Sequence, residues 1–155
     1  MRGDLVELLY VDDNLEDGLR ADVEWISARY DQRFKCKDTE YLNPDTPLDY
    51  LGMEVEQDSE YTYVHMGKYI RYCLQFMELE SLKTASTPID RPIEDESPPL
   101  KPALRKRFLT LLGMVGWLVS TCRPDVAYAH SRIGQHTAEP TEAAYEAIVH
   151  VKVLG

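Results

Sequence analysis

The sequence predicts an α+β fold, and three observations carry that prediction. The first third alternates short apolar runs with turn residues, as strands do. The last third carries apolar residues at three- and four-residue spacing, as amphipathic helices do. Between them lies a proline cluster, with five of the nine prolines falling between Pro88 and Pro102. Such a segment fits neither a helix interior nor a central strand and is expected to be an extended connector.

Each element follows from local chemistry. Residues 5–11, "LVELLYV", read as a strand that ends at Asp12 and Asp13. Val23, Ile26, Tyr30 and Phe34 fall at helical spacing, predicting an amphipathic helix over 21–36. "NPDTP" at 43–47 is a loop. "LDYLGMEVEQ" and "YTYVHM", joined by "DSE", predict a hairpin over 48–66. A helix over 67–79 places Ile70, Cys73, Leu74 and Met77 on one face and Lys68, Arg71 and Gln75 on another. After the connector, Leu104, Phe108, Leu111, Leu112, Val115 and Val119 form a helical stripe. Gly113 and Gly116 are expected to let another element approach that helix closely. Pro124 suits the first turn of a further helix, with Asp125 at its positive end. Thr141 is the expected N-cap of a last helix, 142–152.

Composition narrows the function. The 44% apolar fraction suffices for a core in a chain of 155 residues. No secretory signal is recognisable, and the longest apolar stretch, 108–119, is shorter than the roughly 20 residues of a membrane span. An intracellular, non-secreted protein with no membrane partner is expected. Cys36, Cys73 and Cys122 are odd in number and form no CxxC, which predicts reduced, mostly buried thiols. The histidines lack zinc-ligand spacing. The net charge of −10 is uneven: residues 1–60 hold 6 Lys+Arg against 17 Asp+Glu, whereas residues 61–155 hold 11 against 10. An acidic first part suits divalent cations better than bare phosphate.

The chemistry therefore centres on Asp12 and Asp13. Asp-Asp-Asn is ordinary turn chemistry. A Walker B pair would require a GxxxxGK[ST] loop, and "MGKYI" lacks both the leading glycine and the Ser/Thr. A response-regulator receiver domain is the alternative magnesium-binding class, since "LLYVDDN" before an amphipathic helix is similar to its first strand and acidic pair. It requires a phosphoacceptor Asp at the end of a later strand, where this chain has Gly52. The remaining class is a polymerase palm, in which adjacent aspartates at a strand–turn–strand hairpin help hold two divalent ions.

The downstream segments favour the last class. Tyr10-Val11-Asp12-Asp13 matches a YxDD box. "PLDYLGMEVEQ" resembles an "FLGIEI" strand, and "VHMGKYIRYCLQFMELESLKTASTPID" resembles a thumb segment ending in "TP". "RFLTLLGMVGWLVSTCRPDVAYAHSRIGQHTAEPT" resembles the "G.L.YL...TRPD" region, and "AAYEAIVHVKVLG" the segment before an RNase H domain. In order and spacing, these cover nearly the whole chain and resemble the copia-type LTR-retrotransposon reverse transcriptases, which are RNA-directed DNA polymerases.

That resemblance implies a partial palm over 1–66, a thumb helix over 67–83, a Pro-rich linker over 84–103 and a helical connection region over 104–155. It implies that Asp12 and Asp13 are the catalytic, metal-binding carboxylates, with Mg2+ or Mn2+ held only in the complete domain. Tyr10, Tyr50, Gly52, Lys68 and Arg71 would contact the primer–template, and Gln75 shares the basic helical face. The implied partners are RNA/DNA primer–template and dNTP, with upstream fingers and palm and a downstream RNase H in the same polyprotein. Arg123-Pro124-Asp125 matches the TRPD box with Cys122 in place of its Thr, and a structural cap and packing corner is expected there. The family's third catalytic Asp belongs to an upstream motif, so a partial copy, inactive by itself, is expected. Asn14, Glu16 and Asp17 replace apolar residues of the hairpin's second strand, and each is expected to pack poorly, at about 1 kcal/mol or more per unpartnered polar group. A non-enzymatic nucleic-acid-binding remnant is the other outcome.

Overall fold

The hairpin that carries the aspartates closes through a two-residue loop. In a computed structural model, which describes residues 5–78, 87–89, 93 and 96–151, strand β1 (Val6–Tyr10) pairs antiparallel with β2 (Asp13–Asp17). The register runs from Val6 opposite Asp17 to Tyr10 opposite Asp13, leaving Val11 and Asp12 as the loop. The chain divides into two units, Met1–His65 and Met66–Gly155, and its elements are a mixture of helices and two small sheets.

In the first unit, β1 is apolar apart from Glu7 yet exposed, with Val6, Leu8, Leu9 and Tyr10 all more than half accessible. Helix α1 spans Arg20–Asp31, shorter than its periodicity predicts. The chain tightens at its end, where the N–H groups of Arg33 and Phe34 both donate to the Tyr30 carbonyl. Phe34 keeps the helical spacing but is 62% exposed, so nothing apolar holds the extra turn in place. Of the predicted apolar positions, only Val23 is fully buried.

The expected hairpin over 48–66 is a three-stranded meander. Strands β3 (Leu48–Tyr50), β4 (Met53–Gln57) and β5 (Thr62–His65) pair antiparallel in that order. Leu51 and Gly52 break "LDYLGMEVEQ" in two, with φ of 52° and 77°. Both are left-handed, as a tight primed turn between twisted strands requires. Between β4 and β5, the Asp58 carboxylate accepts from the N–H groups of Glu60 and Tyr61, each at 2.7 Å, and from the Tyr63 hydroxyl at 2.8 Å. One face of the meander buries Tyr50 and Val55. The other carries Glu54, Glu56 and His65, with the imidazole 3.6 Å from the Glu54 carboxylate and 3.3 Å from that of Glu56.

The second unit is helical. Helix α2 spans Gly67–Met77, buries Cys73 and Met77, and ends at Glu78 in the left-handed conformation. Helix α3 begins with Pro102 in its first turn and runs to Thr121. Its buried residues are Phe108, Leu111, Met114, Val115 and Leu118, so Met114 and Leu118 are core where Leu104, Leu112 and Val119 are only half-buried. Gly116 admits His130 of α4 (Ala127–Gly134), because an added Cβ would lie 3.0 Å from the His130 Nε2. Gly113, expected to do the same, has open space around it.

Helix α5 (Glu142–Val149) is capped by Thr141, whose hydroxyl accepts from the Ala144 N–H at 3.2 Å. It ends at Val149, before the predicted 152, which lies outside the described residues. The described end of the proline-rich segment docks on the start of this helix. The Leu100 N–H donates to the Pro140 carbonyl at 2.7 Å, the Glu142 N–H to the Pro98 carbonyl at 2.9 Å, and the Ala143 N–H to the Ser97 hydroxyl at 3.0 Å. Residues 84–86, 90–92, 94 and 95 of the expected connector lie outside the described residues. Of the thiols expected to be mostly buried, Cys73 is buried and Cys122 partly so, whereas Cys36 is exposed beyond α1. No helix among the described residues is long and apolar enough to cross a membrane.

Candidate functional site

The turn between β1 and β2 is conformationally costly. Val11 adopts φ 57° and is 85% exposed. A β-branched residue in the left-handed region is a steric outlier, and such strain persists only where the flanking structure enforces it. Here the cross-strand pairs on both sides fix the loop at two residues. Asp12 sits in that loop and Asp13 opens β2 opposite Tyr10, with all three side chains exposed. Two adjacent carboxylates are thus displayed at a hairpin tip beside an exposed tyrosine.

A divalent ion of the magnesium type takes six oxygen ligands in near-octahedral geometry. Asp12 and Asp13 provide part of that set. Among the described residues, no group of three or more His, Cys, Asp or Glu side chains could hold a metal ion. The residues present do not form a complete metal centre, and no reaction step follows from them.

The polar second strand, expected to pack poorly, is partnered. Its Asn14 and Glu16 share the hairpin face with Glu7, which lies directly opposite Glu16. The Asn14 amide donates to the Glu7 Oε1 at 3.0 Å and to the Glu16 Oε1 at 2.8 Å. From α1, the Tyr30 hydroxyl donates to the Glu7 Oε1, and the Ser27 hydroxyl lies against the Glu16 carboxylate. The bond to Glu7, with some loss of solvent, pushes the Tyr30 hydroxyl up to about 12. The polar strand meets a polar stripe on the helix, which removes most of the expected cost. What remains in this strand is the Glu16 Oε2, buried without a partner among the described residues.

The other residues implied to touch nucleic acid are dispersed. Tyr50 is 8% exposed, and its hydroxyl donates to the Leu8 carbonyl at 3.0 Å, bracing the backbone of β1. Gly52 occupies the exposed meander turn, where its φ of 77° is the chemical requirement. In the second unit, Lys68, Arg71 and Gln75 are all exposed along α2. Tyr72, 56% exposed, and Phe76 accompany them at three- to four-residue spacing. Sequence reasoning overlooks this aromatic component, although the spacing 68, 71/72, 75/76 contains it. Arg107 of α3 lies over the Phe76 ring at 5.8 Å and pairs with Glu78 at 3.4 Å.

The Arg123-Pro124-Asp125 corner is internally closed. The Arg123 Nε and Nη2 donate to the two oxygens of Asp125 at 2.9 and 2.7 Å. That fork lowers the Asp125 carboxyl and raises the Arg123 guanidinium relative to their ordinary values. Arg123 also helps line a small apolar cavity with Cys73, Met77, Leu118 and Val126. Compared with protein-family models, with curated proteins and with solved structures, the chain matches none.

Proposed function

We propose that this chain is a segment of a copia-type reverse transcriptase, of the RNA-directed DNA polymerase class, and that it has no polymerase activity by itself. The observation that carries the proposal is the Tyr10–Asp13 hairpin tip, which displays Asp12 in its two-residue loop and Asp13 at the start of β2. The collinear resemblance from that box to the residues beyond the RPD corner supports the class. The two carboxylates, without a third metal-ligating side chain in their group among the described residues, support the absence of activity. Lys68 and Arg71, carried on one helix, would meet the phosphates of a primer–template.

A primer-extension assay with magnesium and a homopolymer template tests the catalytic half. No robust extension is expected from the purified chain, and robust extension would overturn the incomplete carboxylate set. Acetyl phosphate separates this class from a receiver domain. Phosphorylation of a carboxylate on the chain would favour the receiver, and its absence is what the polymerase class predicts.

A further inference from the structure

The Glu7–Glu16 pair beneath the aspartate turn has a chemistry of its own, independent of any polymerase role. The two carboxylates are cross-strand neighbours on the face turned toward α1. Like charges directly opposite each other destabilise a strand pair. Two donors serve Glu7, the Asn14 amide and the Tyr30 hydroxyl. Glu16 receives the other Asn14 proton on one oxygen and has the Ser27 hydroxyl against its carboxylate, while its second oxygen is shielded from water with no hydrogen-bond partner among the described residues. The groups facing the pair are Glu7 from β1, Asn14 and Glu16 from β2, and Ser27 and Tyr30 from α1, with Cys36 beyond α1 near Tyr30. None of them is a cation.

We propose that Glu16, set directly opposite Glu7 and with one oxygen buried, takes up a proton in the folded chain, so that the contact between the hairpin and α1 tightens as pH falls. Binding one proton removes the repulsion across the strand pair and neutralises the carboxyl group whose second oxygen lacks a donor. The proton comes from solvent and no bond between heavy atoms changes. Burial, followed by the charge of Glu7, raises the Glu16 carboxyl above its ordinary 4.5. The sign follows by linkage. With the folded value above the unfolded one, the contribution to stability is greatest below about pH 4.5, falls as pH rises between the two values, and stays low above them.

Carbon-detected NMR titration of the side-chain carboxyls in the full chain tests this directly. Glu16 is expected to titrate above its ordinary 4.5. Glu7→Gln is expected to draw the Glu16 midpoint back toward the ordinary value. In thermal unfolding, Glu16→Gln is expected to raise the midpoint by a few degrees at about pH 7.5, with the gap closing near pH 4. A Glu16 titration at the ordinary glutamate value, unmoved by Glu7→Gln, would overturn the proposal. So would a Glu16→Gln chain less stable than the parent at neutral pH. The parent titration decides the matter even if a variant fails to fold.

Discussion

At the scale of single residues, one backbone position and one carboxylate set the local geometry of the two turns. Val11 holds the aspartate turn at φ 57°, where a β-branched side chain is strained by about 1 kcal/mol or more. Val11→Gly removes the clash but adds freedom to the unfolded chain, a term of roughly 0.5–1 kcal/mol. The relief is expected to prevail, so amide exchange in β1 and β2 should slow modestly; faster exchange would show that Val11 is not strained. Asp58 holds the β4–β5 turn through three donors, and those bonds lower its carboxyl below the ordinary 3.8. Its contribution is therefore complete above about pH 3.8 and is lost as pH falls through the lowered value. Asp58→Asn should speed amide exchange at Glu60 and Tyr61 at neutral pH, and the difference should shrink below that range. The aspartate turn is visible in the sequence because Asp-Asp-Asn is turn chemistry. The left-handed residue is not, because a valine gives no local sign of positive φ and only the strand register imposes it.

Among the elements, α3 offers the sharpest contrast. Gly113 and Gly116 look alike in the sequence but differ in surroundings. Gly113→Ala adds a methyl in open space within a helix and is expected to stabilise by about 1 kcal/mol. Gly116→Ala gains the same propensity but meets the His130 Nε2 at 3.0 Å, which itself lies 3.2 Å from the Leu112 carbonyl. Its net gain should be smaller or reversed, and equal Tm shifts for the two variants would contradict this packing. Thr141→Ala should cost about 1 kcal/mol by removing the bond to the Ala144 N–H, measurable by chemical denaturation. Element type is legible where period and burial agree, as in α2 and α3. It fails where one of them misleads: Phe34 keeps the helical period without a partner, and Leu51-Gly52 hides a turn inside an alternating run. Strand β1, apolar apart from Glu7, stays exposed despite a composition that reads as core. The polar residues of β2 read as a defect because their partners, Glu7, Ser27 and Tyr30, are separated from them in sequence and come together only when α1 folds over the hairpin face.

For the whole molecule, charge divides along the chain. The acidic residues gather in the first unit with Asp12 and Asp13, and Lys68 and Arg71 lie in the second. The YVDD box is legible as four residues, but its class rests on the order of the segments that follow. The geometry adds a hairpin that displays both carboxylates and a helix face that carries Lys68 and Arg71 beside the exposed Tyr72 and Phe76. The most direct measurement of the proposed class is binding of a primer–template duplex across a series of salt concentrations, for the chain and for its Lys68→Ala/Arg71→Ala variant. Affinity should fall steeply with salt. The double substitution should weaken binding and reduce the log–log slope by about 1 for each phosphate that is no longer neutralised. A chain that does not bind the duplex at low salt, or a variant that binds with unchanged affinity and slope, would contradict the account.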